Sequence, residues 1–119
     1  MRGDNTIQII SKAFALRIIK LYQYLRDEKC EYVISKQILR SGTSIGANAR
    51  ESLNAESPLD FIHKMGIALK EANETQYWLE LLHESGYIKD EEFDSIYPEC
   101  NRIVGTLVNI IKTKKEGLK

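Results

Sequence analysis

Apolar residues recur at helical spacing in four stretches of the 119-residue chain, and no stretch alternates with the period of a half-buried strand. In the first, about 6–27, Ile7, Ile10, Phe14, Ile18, Leu21 and Leu25 share one face. Ile9, Leu16, Ile19 and Tyr22 widen that face beyond a single stripe, so this helix is expected to touch more than one neighbour. In the second, about 31–55, the spacing runs through Ile34, Ile38, Gly42 or Ser41, Ile45, Ala49 and Leu53. Its middle, Ser41–Ala49, is small and polar. Each glycine there costs about 1 kcal/mol against alanine, and close approach of another helix backbone would compensate. The apolar period continues unbroken through it, which argues for helix over loop.

The third stretch, about 58–85, opens on Ser57-Pro58-Leu59-Asp60, a cap, a first-turn proline and a first-turn acid. Phe61, Met65, Ala68 or Leu69, Ala72, Thr75 or Gln76, Leu79 and Leu82 form its inner face, and Gly86 stands where a left-handed cap would end it. The fourth, about 90–115, starts with Asp90, Glu91 and Glu92 and carries Phe93, Ile96, Cys100, Ile103, Leu107 and Ile110. Pro98 removes one backbone donor, so a kink or a restart is expected there. Links this short favour antiparallel neighbours. The predicted fold is all-α: one domain, 1–119, an antiparallel up-down-up-down four-helix bundle about 35 Å long.

Charge narrows the functional classes. Basic and acidic residues balance at 17 each, unlike a dedicated nucleic-acid-binding domain. The balance hides segregation: residues 1–50 hold nine basic and four acidic groups, and residues 51–100 hold three and twelve. The two zones either pair within one subunit or meet between subunits. No run is apolar enough to span a membrane. The opening Met1–Asn5 lacks the apolar stretch of a secretion signal, and Cys30 and Cys100 are expected as free thiols in a reducing compartment.

Catalytic patterns are sparse. Glu80-x-x-His83 and Asp60-x-x-His63 resemble half-sites of bundle metal centres, but both lie on the third helix, about twenty residues apart, and cannot face one ion. Cys30 has no histidine near it in this topology. Tyr22, Tyr24, Tyr32 and Trp78 suit either base stacking or core and interface packing. The expectation is a non-enzyme with no cofactor and no metal.

Two residue sets remain as candidates. Pairing the second and third helices across the 55–58 turn sets Arg40 level with Glu74, and Thr43 and Ser44 level with Glu71. An Arg40–Glu74 ion pair and a hydroxyl–Glu71 hydrogen bond are therefore expected, in a polar network of Arg40, Thr43, Ser44, Asn48, Glu71 and Glu74. That network either fixes helix register or forms a groove for a ligand or partner. Pairing the first two helices gathers Arg17, Lys20, Lys36 and Arg40 into a basic patch, with Arg2, Lys12, Arg50, Lys112, Lys114 and Lys115 toward the other end. The patch is either a solvated face or a set of phosphate contacts to RNA or DNA.

Gln37–Glu51 (QILRSGTSIGANARE) and Phe61–Leu79 (FIHKMGIALKEANETQYWL), with Ile110–Lys115 near the end, resemble the four-helix bundle proteins encoded in intervening sequences of bacterial 23S ribosomal RNA genes. The resemblance covers nearly the whole chain. It implies a small cytoplasmic bacterial protein without known catalysis, assembled as a homopentamer; the expected role is a non-enzymatic homo-oligomeric scaffold or an adaptor for RNA or a nucleic-acid enzyme, the alternative being an RNA- or DNA-binding protein that uses the basic patch. A related branch is the accessory protein of diversity-generating retroelements, which associates with a reverse transcriptase and nucleic acid. That branch is basic, whereas this chain is neutral. The resemblance brings no active-site residues.

Overall fold

A computed structural model describes residues 2–118, with side chains from Asn5 onward. Arg2 of the basic end lies outside the described side chains. Four helices account for most of the chain: α1 (Arg2–Asp27), α2 (Ile34–Glu51), α3 (Pro58–Glu84) and α4 (Asp90–Glu116). No strand occurs among the described residues. The chain extends 49 Å along its long axis, beyond the 35 Å expected, because α1 starts earlier and α1 and α4 each run about 40 Å at 1.5 Å per residue.

Each helix packs on its sequence neighbour, and α1 also meets α4 over a shorter stretch. Contact positions fall along one helix as they rise along the next. Gln8 Nε2 donates to the Ala49 carbonyl of α2, while Ile18 packs on Gly42. Between α2 and α3, Glu51 pairs with Lys64 and Arg40 with Glu74. Between α3 and α4, Glu80 accepts from Tyr97 and Gln76 donates to Asn101.

The apolar faces read from the sequence meet in one core. Ile7, Phe14, Ile18, Leu25, Ile38, Ile45, Met65, Leu79, Leu82, Ile96, Ile103 and Leu107 are all buried. Full burial of such a side chain contributes about 1.5–3 kcal/mol, which sets the register of the helices more firmly than any surface contact. Leu53 departs from the pattern and is exposed. Helix α2 gives way after Glu51 to a 3-10 turn, Ser52–Asn54, which rotates Leu53 out of the apolar face.

Each end of α2 has a local cause. Glu31, expected inside the helix, lies before it and folds its carboxylate over the first turn, accepting the amides of Val33, Ile34 and Ser35 at 3.2, 3.0 and 2.6 Å. It does the work of a cap from three residues outside the helix. At the other end, Ser52 Oγ donates back to the Ala49 carbonyl and tightens the last turn. The region 41–49 is helical throughout.

Two left-handed residues terminate α1 and α3. Gly86 has φ of 86°, and the Tyr87 amide returns to the Leu82 carbonyl. Cys30 takes the equivalent role at φ of 52°, with the Glu31 amide returning to Leu25. Pro98 does not restart α4, which runs from Asp90 to Glu116 with the proline inside it. Both Pro98 and Asp94, whose carbonyl loses its helical donor, are solvent-exposed, so water can take the missing bond.

Candidate functional site

The α2–α3 seam concentrates the polar groups that the sequence singled out. Arg40 Nη2 lies 2.8 Å from Glu74 Oε2, and Nη1 lies 3.7 Å from Glu71 Oε1. Glu74 also accepts the Trp78 indole N–H at 3.2 Å. Glu71 is buried, and its Oε1 has no hydrogen-bond partner among the described residues; the Arg40 fork is the charge that faces it. Below this surface pair, Thr75 Oγ1 lies 2.8 Å from Ser41 Oγ, a buried hydroxyl contact that ties α3 to α2.

The expected hydroxyl–Glu71 bond does not form. Thr43 Oγ1 donates to the Leu39 carbonyl at 2.7 Å, and Ser44 Oγ donates to the Arg40 carbonyl at 2.6 Å. Asn48 Nδ2 does the same toward Ser44. Short polar side chains in mid-helix have an acceptor one turn back at fixed distance, and that local bond outcompetes a partner on another helix. Ser41 and Thr75, which the sequence set on the inward faces and not in the polar network, make the cross-helix contact instead. Both occupy inward positions of the apolar period, and a hydroxyl at such a position must find a buried partner.

The basic patch is partly spent. Arg17 reaches across to α4, where Nη1 lies 2.9 Å from Glu99 Oε2 and donates to the Ser95 carbonyl at 3.2 Å. Its Nη2 donates to Ser95 Oγ at 2.7 Å and to Glu92 Oε2 at 3.2 Å. With Arg40 held by Glu74, only Lys20 and Lys36 of the four predicted phosphate contacts are free of ion pairs among the described residues. The arginines go first because their planar fork satisfies two acceptors at once, which a lysine cannot do.

Other chemistry-bearing groups are dispersed. The last turn of α3 carries His83, whose Nε2 lies 2.7 Å from Asp90 Oδ1, and whose ring stacks on Phe93 at 4.1 Å. Phe93 stacks in turn on Tyr97, whose phenol is pushed up to about 12 by its bond to Glu80 and by burial. Among the described residues no three His, Cys, Asp or Glu side chains converge as metal ligands. Cys100 is buried on α4, pushed up to about 12 by desolvation, and Cys30 is exposed in the α1–α2 link. Among the described residues no helix is long and apolar enough to cross a membrane.

Residues 4–109 match the family described as 23S rRNA-intervening sequence protein. The chain belongs to that family. A solved structure, described as a protein with unknown function from the S23 ribosomal protein family of Bacteroides thetaiotaomicron, is 55% identical; the match covers 92% of this chain and 98% of that one, with a TM-score of 0.91. Comparison with curated proteins gave no match. The match to the 23S rRNA-intervening sequence family thus spans α2 and α3 entirely, the Ser41–Ala49 segment included, and most of α1 and α4.

Proposed function

We propose that this protein is a non-enzymatic, cytoplasmic scaffold or adaptor that acts as a homo-oligomer, with an antiparallel up-down-up-down bundle as its subunit and a homopentamer as the form its family resemblance implies. The observation that carries this reading is the outer face of α1. Ile9 is 69% exposed, Leu16 56% and Ile19 37%. Ile9 and Leu16 stand two turns apart on one side of the helix, with Ala13 exposed between them. Leaving such an apolar strip in water is unfavourable by about 25 cal/mol per Å², and contact with another copy removes that cost. Segregated charge supports a head-to-tail contact, in which a basic zone of one copy meets an acidic zone of the next and the chain of contacts closes into a ring.

Sedimentation equilibrium at micromolar concentration tests the proposal. The expected result is a single oligomeric mass that collapses to monomer in the Ile9→Glu/Leu16→Glu variant while helicity is retained. A monodisperse wild-type monomer refutes it.

A further inference from the structure

Between the C-terminal half of α1 and the start of α4 lies an open cleft of about 640 Å³, well within the range of small-molecule sites. It lies where α1 meets α4 over a shorter stretch than it meets α2, and Ile88 and Lys89 of the α3–α4 link contribute to its lining. The floor is apolar: Leu21 and Ile88 are 6% and 3% exposed and belong to the bundle core. Tyr24 forms a wall and remains 38% exposed, with Lys29 lying 5.9 Å from its ring centroid. The lining is therefore rigid where it is apolar, since its floor is held from below by the core.

Charge around the cleft is uneven in use. Arg17 and Glu92 both line it, and they neutralise each other in the bracket to α4. That leaves Lys20 and Lys89, neither in an ion pair among the described residues, against the single carboxylate of Glu91. Lys89 stands just before α4, whose own first-turn acids Asp90, Glu91 and Glu92 already complement the positive end of that helix, so the attraction for an anion comes from the two lysines. A flat ring fits between the Tyr24 wall and the Leu21–Ile88 floor, and one negative charge on that ring meets two free ammonium groups.

We propose that this cleft binds a small aromatic anion, an arene that carries one carboxylate or one phosphate group. The claim is separate from the proposed scaffold role and goes beyond it. Indole-3-acetate is the probe, and amide shifts of the intact wild-type protein are the readout. The expected result is saturable shifts confined to 17–24 and 88–92. Tryptamine, with the same ring and the opposite charge, should bind at least tenfold more weakly, and butyrate, with the charge but no ring, should do likewise. Phenyl phosphate should compete with indole-3-acetate for the same amides. The Lys20→Gln/Lys89→Gln variant should lose at least tenfold in affinity at unchanged melting temperature and helicity. Shifts that scatter over the surface or fail to saturate overturn the proposal. So does equal binding of tryptamine or butyrate, or a double variant that binds as wild type does.

Discussion

The two flanks of α1 are closed in opposite ways. Toward α2 the helix is sealed by the absence of side chains: a Cβ on Gly42 would stand 2.8 Å from Ile18 Cγ1 and 2.9 Å from its Cγ2. One turn further, a Cβ on Gly46 would sit 3.3 Å from Ser11 Oγ. Toward α4 the flank is bridged by one long side chain, with Arg17 spanning the gap to Glu92, Ser95 and Glu99 beside an open cleft. The first seam is held by close packing and is insensitive to salt. The second is held by charges whose side chains are about a quarter to a half exposed, so solvent and ions screen it. A bundle can thus join the same helix tightly on one side and loosely on the other, and the loose side is where a cavity survives.

The sharpest chemical contrast lies between a closed seam and an exposed link. Cys100 is sealed between α3 and α4 with its thiol donating to the Ala72 carbonyl, and its pKa is raised from 9.0 to about 12 by desolvation. Its thiolate fraction at pH 8 is then about a thousandfold below that of an ordinary thiol. Iodoacetamide at that pH should modify Cys30 alone, and labelling of Cys100 at a comparable rate would show that this seam opens.

Gly42→Ala tests the glycine seam itself. Ile18 is β-branched and fully buried, so it cannot swing away from the added methyl. A loss of about 2–3 kcal/mol is expected in urea titration. A neutral or stabilised variant would mean that the two helices can part freely. Arg17→Met should cost less, about 1 kcal/mol, because the pairs it removes are partly solvated. The difference from wild type should shrink in 0.5 M NaCl; a salt-independent loss would place the cause in packing. Gly46→Ala should lie within about 0.5 kcal/mol of wild type, because helix propensity gains about what the Ser11 contact loses. A loss as large as that at Gly42 would make the seam uniformly tight.

The same contrast separates what was legible from what was not. The α1–α2 and α2–α3 registers were readable because a short link and a 3.6-residue period leave few ways to bury Ile18, Ile38, Ile45 and Met65 together. Arg40 opposite Glu74 followed from that register. The partners of Thr43 and Ser44 did not, because local acceptors one turn back were available to both. Arg17 was read as a free cation for the same kind of reason: its partners on α4 lie 75 to 82 positions away, and no short link relates α1 to α4. The Glu31 cap was also hidden, since acids just before a helix are common and only the fold-back of its carboxylate onto three amides distinguishes this one.

Sequence by itself determined the number of helices, their inner faces and the need for a small-residue approach at Gly42, because each of these follows from local periodicity and from the volume of the side chains. Tertiary structure alone decided which polar groups are consumed and which stay free, and where the bundle leaves space. Those outcomes depend on distances between residues far apart in the chain, which no local pattern encodes.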